Sequence, residues 1–352
     1  MLPISVCIIA KNEEKHIAEC LKRLKPFHYE IVLVDTGSTD GTLKIAADYT
    51  DRIYHFTWID DFSAARNFAA DRASNDWILS IDCDEYLESI DENELSELMR
   101  QHPEETGRIL LRNRFEQGGL TSFENVRLCR LFNRKSYCFT GAIHEQVTQK
   151  DASPDIVRAF AAPITVLHVG YDGSEEEMQA KSRRNITLLE QELASAGPDA
   201  YLYYQLGQSC MRLKDYDKAC EWFDLGLSMD IDPAQDYVQN MVESYGYCLL
   251  DRKRPAEALR LENIYDIFAV RADFVFLMGL IYMNNGLFTE AIAEFQKSTT
   301  MKQFSVEGIN SYRARYNIGV IYECTGHPKE AQKYYRMCGN FEPARKRLEE
   351  MR

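Results

Sequence analysis

The sequence specifies two domains of different class, an N-terminal α/β domain built on a parallel sheet and an all-α domain of repeated helix pairs. Three observations carry this. Short β-branched runs alternate with helical patterns through the first half, and the clear runs end in polar or acidic residues. Beyond residue 174 no strand pattern returns, and one glycine-centred helical theme recurs. The 352 residues are long for one domain and comfortable for two, and 45% hydrophobic content is enough for sizeable cores. The expected partition is an α/β domain over 1–172, a linking helix over 173–197 and a helical repeat domain over 198–352.

"ISVCIIA" (4–10), "EIVLVDT" (30–36) and "WILSID" (77–82) read as strands, with the shorter "RIYHF" (52–56) between the last two. Helical patterns over 13–24, 42–49 and 62–73 separate them. Near-continuous apolar strands alternating with helices imply a parallel sheet covered on both faces. Ligands of such sheets bind beyond the carboxyl ends of the strands. Those ends read "AKNEE", "DTGSTDGT" and "DCDE". Gly37 and Gly41 allow a tight turn, and Ser38, Thr39 and Asp40 can satisfy the free N–H groups of the next helix. Asp35, last in its strand, is placed to accept a hydrogen bond from a bound base. Neither G-x-x-x-x-G-K-[ST] nor G-x-G-x-x-G occurs, which argues against a P-loop ATPase and a dinucleotide-binding dehydrogenase.

In "ILSIDCDEYL" (78–87) three acids, Asp82, Asp84 and Glu85, follow an apolar run, a costly knot of like charge that a cation would relieve. Carboxylates at i and i+2 on an extended segment can converge on one divalent metal and leave it open to substrate phosphates. Asp82 and Asp84 are therefore expected to hold a metal-diphosphate. The competing reading is an ordinary solvated loop.

Composition narrows the partners. With 41 Lys+Arg against 55 Asp+Glu the formal charge is -14, which repels a phosphate backbone and argues against nucleic acid. No segment has the roughly 18 consecutive apolar residues of a membrane helix, and the N-terminus is too soon charged for a signal peptide, so a cytoplasmic chain without a transmembrane segment is expected. Ten scattered cysteines with no C-x-x-C argue against a zinc knuckle and a disulfide framework.

"VCIIAKNEE", "IVLVDTGSTDGT", "FSAARNFAA" and "ILSIDCDEYL", in this order, resemble the nucleotide-sugar half of the family 2 glycosyltransferases, which have the GT-A fold. The resemblance covers about residues 3–170. It implies inverting transfer from a nucleotide-activated sugar, usually a uridine diphosphate (UDP) sugar such as UDP-glucose or UDP-N-acetylglucosamine, with Mn²⁺ or Mg²⁺. It further implies that Asn12, Glu13 and Asp35 border the nucleotide, with Ala10, Gly37, Ser38 and Cys83 in the same donor-binding set. Asp82 would face the ribose and sugar, Asp84 would ligate the metal, and Arg66 would stand near the donor as a cation.

"YCFTGAIHEQVTQ" (137–149) sets His144 and Glu145 after a turn-prone Thr-Gly-Ala. Inverting transfer needs a base for the acceptor's proton, and a carboxylate on a loop suits that work. Glu145 is the expected base; His144 orients the acceptor or packs. "ITVLHVGYDGS" (164–174) resembles the end of a GT-A domain, where His168 would supply a metal or diphosphate contact; the alternative is a core histidine. An imidazole ligand would favour Mn²⁺ over Mg²⁺.

"SEEEMQAKSRRNITLLEQELASAG" (174–197) reads as a helix opened by a Ser174/Glu177 capping box and stopped at Gly197. Beyond it Gly207, Gly246, Gly279 and Gly319 recur at steps of 39, 33 and 40 residues, each followed twelve residues later by Ala219, Ala258, Ala291 or Ala331. Small residues at both places let paired helices approach, while Tyr282, Phe295, Tyr322 and Tyr335 fill the space between pairs. The pattern resembles the tetratricopeptide repeat of about 34 residues, with a degenerate second repeat in which Glu262 stands where an aromatic is expected. Such repeats suit a peptide, or a second copy of the chain in a homodimer. The combination is similar to bacterial peptide S- and O-glycosyltransferases, so a peptide Cys, Ser or Thr is the first expected acceptor. A cell-surface polysaccharide or lipid-linked intermediate is the alternative, and a non-catalytic scaffold the reading from another class.

Overall fold

The computed structural model, which describes residues 2–117, 119–150, 157–170 and 175–351, divides the chain into two units, Met1–Asp172 and Gly173–Arg352. In the first, the order is β1 (Ile4–Ala10), α1 (Ile17–Leu24), β2 (Glu30–Asp35), α2 (Thr42–Ala46), β3 (Ile53–His55), α3 (Phe62–Arg72), β4 (Trp77–Ser80), β5 (Glu85–Ile90), α4 (Glu92–Gln101), β6 (Thr106–Gln117), β7 (Leu120–Asn133), β8 (Tyr137–Thr140), β9 (Gln146–Gln149) and β10 (Ala159–His168). Eight strands form one sheet in the order β3-β2-β1-β4-β7-β6-β10-β5, and β8 pairs with β9 alone.

The expected parallel sheet is only half of this. β3, β2, β1 and β4 run parallel, but β7 joins β4 antiparallel, β6 joins β7 antiparallel, and β10 lies parallel to β6 and antiparallel to β5. The long β6 and β7 alternate charged and apolar residues, as strands with a solvated face do, so they lack the apolar runs that mark β1, β2 and β4. Register brings Ala10 beside Asp35 and Asp35 beside His55, so the parallel strands end in one row.

Helix starts also shift. α1 begins at Ile17 rather than Glu13, because the Glu13 and Glu14 amides bond to Thr42 Oγ1 and Asp40 Oδ2 (2.7 and 3.2 Å) and Asn12 adopts φ +58°. The rest of α1 obeys its pattern, burying Ile17, Cys20, Leu21 and Leu24.

The second unit is all helical: α5 (Glu175–Ala196), α6 (Ala200–Arg212), α7 (Tyr216–Leu227), α8 (Asp236–Asp251), α9 (Pro255–Ala258), α10 (Tyr265–Phe268), α11 (Ala272–Asn284), α12 (Phe288–Ser298), α13 (Tyr312–Cys324), α14 (Pro328–Arg336) and α15 (Glu342–Glu350). α5, expected as a linker, is part of this unit, with Leu189 fully buried and Ile186 packed on the same core as α7 and α8. It stops at Gly197 (φ +90°), whose N–H bonds to Leu193 O. Ser174 of the expected capping box lies outside the described residues.

Three helix pairs share one device. A Cβ at Gly207, Gly279 or Gly319 would come within 2.3, 2.7 or 2.5 Å of the ring of Phe223, Phe295 or Tyr335, each fully buried sixteen residues later. In the second pair Glu262 takes that place, Leu261 packs toward Gly246 instead, and the partner helix breaks into α9, a 3₁₀ stretch over Leu259–Ile264, and α10. Gly207→Ala should therefore cost stability: overpacking of about 1–3 kcal/mol outweighs the roughly 1 kcal/mol that alanine gains in a helix. A melting temperature equal to or above that of the parent would contradict this.

Candidate active site

The loops after β1 and β2 lock together. Asn12 Oδ1 accepts the Thr39 amide (2.8 Å), Ser38 Oγ accepts the Asn12 amide (3.0 Å), and Glu14 Oε2 accepts the Gly41 amide (2.6 Å). Asp35, 3% exposed, accepts the amides of Gly37 and Ser38 at 3.1 and 3.0 Å. Burial opposes its charge, but these bonds hold its carboxyl below the usual range. Asn12, Asp35 and Ser38 thus build the loops in which they were expected to contact nucleotide. The Ala10 carbonyl is likewise taken by the Thr36 amide and hydroxyl. The Cys83 thiol is buried, bonds to the Ile9 carbonyl and packs in the core, so of this residue it is the backbone that is left for the expected donor contact. His55, which sequence reading passed over, is the exposed group beside Asp35, Nδ1 to Oδ2 3.4 Å.

β4 ends at Ser80, so the acids of "DCDE" stand on a turn, closed by the Glu85 amide on Asp82 O (3.1 Å), and not on the extended segment expected. Their repulsion is relieved by cations from three elements. Arg66 of α3 reaches Asp82 Oδ1 (Nη2, 2.8 Å), and Arg130 of β7 reaches Asp82 Oδ2 and Glu85 Oε1 (3.3 and 3.4 Å). His168, at the end of β10, sets Nε2 3.4 Å from Asp84 Oδ2. Although burial works against the charge, Arg66 and Arg130 hold the Asp82 carboxyl well below the carboxylate range. Burial also disfavours a charged His168, yet the Asp84 hydrogen bond and the charges of Asp84, Glu85 and Asp82 raise its pKa. Asp82 thus pairs with Arg66 and Arg130, and Asp84 with His168, a ring whose charge Asp82 also favours.

Arg66 is neither a helix-surface residue nor a free cation waiting for donor. It is 6% exposed, and besides Asp82 it donates from Nε to Glu145 Oε1 (2.5 Å) and from Nη1 to Ser80 Oγ (3.1 Å). Residues 141–145, which connect β8 to β9, carry Glu145 and His144 and are fastened to the start of α3. Asp61 caps that helix through the Ala64 amide, Phe62 N donates to Ala142 O (2.8 Å), and Ser63 Oγ donates to Gly141 O (2.6 Å). Asn67 exchanges two 2.9 Å hydrogen bonds with the backbone of Phe139. "FSAARN" is thus a clamp that presents Glu145 beside Asp82. His144 takes φ +53° in the same loop.

Arg130, Asn67 and Asn113, whose Oδ1 lies 2.9 Å from His168 Nδ1, were missed in sequence. Asn113 and Arg130 sit in alternating charged strands where only sheet register reveals a neighbour. A 460 Å³ cavity lined by Tyr29, Glu30, Tyr49 and Arg52 opens at the other end of the parallel strands, and none of the candidate site residues lines it.

Among the described residues no group of three or more His, Cys, Asp or Glu could hold a metal ion. Asp84 with His168 is a two-ligand set, which suits an ion that takes its remaining oxygens from substrate phosphates and water. Gly170 bears on the fit: a Cβ there would lie 2.2 Å from Asp84 Oδ2 and 2.4 Å from His168 Nε2, so the lack of a side chain is what lets these two donor atoms come together. Burial and the charge of Asp82 raise the Glu85 carboxyl in the same cluster, although Arg130 works the other way.

Comparison with known proteins decides the family. Residues 5–137 match Glycosyl transferase family 2, and residues 200–232, 272–304 and 312–338 match the Tetratricopeptide repeat. A TPR repeat-containing protein of Synechococcus elongatus is 33% identical over 333 residues, 93% of this chain and 72% of that protein. The chain is a family 2 glycosyltransferase with C-terminal tetratricopeptide repeats. The glycosyltransferase SunS of Bacillus subtilis is 32% identical over 196 residues, covering 54% of this transferase and 45% of SunS. The lipopolysaccharide core biosynthesis glycosyltransferase LpsC of Rhizobium meliloti is 34% identical over 131 residues, 36% of this chain and 48% of its own. No helix among the described residues is long and apolar enough to cross a membrane.

Proposed function

We propose that this glycosyltransferase moves a sugar, with inversion, from a UDP-sugar to a Cys, Ser or Thr of a peptide or protein, with Mn²⁺ or Mg²⁺ bound at Asp84 and His168. The observation that carries the reading is the Arg66 bridge, which sets Glu145 beside Asp82 at the end of β4, two residues before the Asp84–His168 pair. In the transfer, the acceptor's nucleophile forms a bond to C1 as the C1–oxygen bond to the diphosphate breaks. Glu145 takes the acceptor's proton, and the electron pair leaves on UDP. The metal would supply charge neutralisation of that leaving diphosphate.

The loops of Asn12–Glu14 and Gly37–Ser38, with Asp35 and His55, would receive the nucleotide; glucose and N-acetylglucosamine are the sugars proposed. His144 would lie on the acceptor side with Glu145. Acceptor recruitment is assigned to the repeats, whose stacked pairs leave a surface for an extended peptide; a homodimer through the same repeats is the competing use. The likeness to LpsC favours a second reading, a lipid-linked or polysaccharide acceptor.

Purified protein should bind or slowly hydrolyse one UDP-sugar in the presence of Mn²⁺ or Mg²⁺. Chelator, or Asp84→Ala, should weaken this by at least about tenfold, as loss of a direct metal ligand does. Equal binding with metal and with chelator would refute the metal-dependent reading. Transfer to a peptide pool against transfer to a lipid-linked glycan separates the two acceptors.

A further inference from the structure

Sheet register places four polar residues in one row across four strands: Glu85 of β5 opposite His168 of β10, His168 opposite Asn113 of β6, and Asn113 opposite Glu124 of β7. Residues paired in this way project from the same face of a sheet and touch. The contacts give the row a direction. Asn113 Nδ2 lies 3.4 Å from Glu124 Oε2, an acceptor, so the amide nitrogen belongs on that side and the amide oxygen faces His168. Asn113 Oδ1, 2.9 Å from His168 Nδ1, then accepts a proton from that nitrogen. The ring is held with Nδ1 as donor and with Nε2 turned to Asp84 Oδ2 at 3.4 Å. With Nδ1–H committed to Asn113, Nε2 is the nitrogen that meets Asp84 through its proton, and it presents its lone pair to an ion that displaces that proton.

The other side of the pair is bounded by Gly170, where a Cβ would lie within 2.4 Å of both His168 Nε2 and Asp84 Oδ2. Such an approach is closer than any real Cβ contact. His168 is held by Asn113, and Asp84 lies inside the turn closed by the Glu85 amide on Asp82 O with its own carbonyl bonded by the Val169 amide, so the two side-chain ends make room by giving up their pairing. A side chain at 170 would drive apart the two atoms that have to converge.

We infer that Asn113 and Gly170 are positioning residues of the metal site, Asn113 by fixing the His168 ring with Nε2 toward Asp84, and Gly170 by leaving the Asp84 and His168 donor atoms free to converge. This rests on the metal-dependent reading above. Neither residue touches the reacting atoms.

The test is Mn²⁺ binding to the full chain in the presence of UDP, followed by loss of the free-ion electron paramagnetic resonance signal, a readout independent of turnover. Asn113→Leu should weaken Mn²⁺ binding by about 10–100-fold, the usual effect of losing the partner behind a ligating histidine. Asn113→Asp combined with Glu124→Gln, which keeps an oxygen acceptor for Nδ1–H without setting two carboxylates 3.4 Å apart, should bring binding back to within about tenfold of the parent. Gly170→Ala should weaken binding by at least about tenfold, and provides an independent arm should Asn113→Leu fail to fold. Parent-like Mn²⁺ binding by folded Asn113→Leu or Gly170→Ala overturns the inference for that residue and leaves the metal site standing. No Mn²⁺ binding by the parent itself overturns the site and the inference with it.

Discussion

Glu145→Gln should lower turnover of the donor by about 10²–10⁴-fold, the range for removal of a general base, while affinity for UDP stays near that of the parent. The amide keeps an oxygen where Arg66 Nε now donates to Oε1, so the connection between the β8–β9 loop and α3 survives, helped by the Phe62 N–H and the Asn67 side-chain amide, which bond to the backbone of the same hairpin. What the amide lacks is the capacity to accept a proton. The donor side, at Asp84 and His168 and in the interlocked loops after β1 and β2, is untouched. Single-turnover transfer alongside UDP calorimetry separates the two effects. Parent-like turnover would remove Glu145 from the role of base and direct attention to His144, its neighbour in the loop.

Much of this site is written in the sequence where the physics is local. Strand ends carry Ala10, Asp35 and the "DCDE" acids because apolar runs stop there, and the glycine-to-aromatic spacing of the helix pairs is a packing rule that survives in linear order. Partners contributed across the sheet are another matter. Arg130 and Asn113 lie in strands whose alternating polarity reads as a solvated face, and only the mixed sheet sets them against Asp82 and His168. The acids of residues 82–85 suggested a missing cation. The fold supplies protein cations for part of that charge: Arg66 and Arg130 pair with Asp82, and His168 pairs with Asp84 at the place proposed for the metal. Arg66 was legible as a cation and misread in its partner, since "SAARN" says nothing of a hairpin some 75 residues downstream.

That network makes Arg66→Met the most damaging single substitution expected for stability. The guanidinium is 6% exposed and meets three acceptors at once, on Ser80, Asp82 and Glu145. Methionine matches much of its volume but leaves the Asp82 and Glu145 carboxylates without the cation that bridges them, with Arg130 and His168 acting on the Asp82 side. Removing one partner of a buried ion pair costs about 3–5 kcal/mol, because the remaining charge keeps its desolvation penalty. In a unit of this size that corresponds to a fall of about 10 °C in melting temperature. Arg66→Lys should recover part of the loss and not all of it, since a single ammonium cannot fork to Ser80, Asp82 and Glu145 together. A double-mutant cycle with Asp82→Asn isolates the electrostatic share: if the stranded carboxylate is the cause, the second change restores about 1–3 kcal/mol to Arg66→Met, within the usual range of coupling between contacting residues. Strict additivity would assign the loss to packing against Phe139, whose ring lies 5.5 Å from the guanidinium carbon, and the bridge between Glu145 and Asp82 would then be a contact without energetic weight.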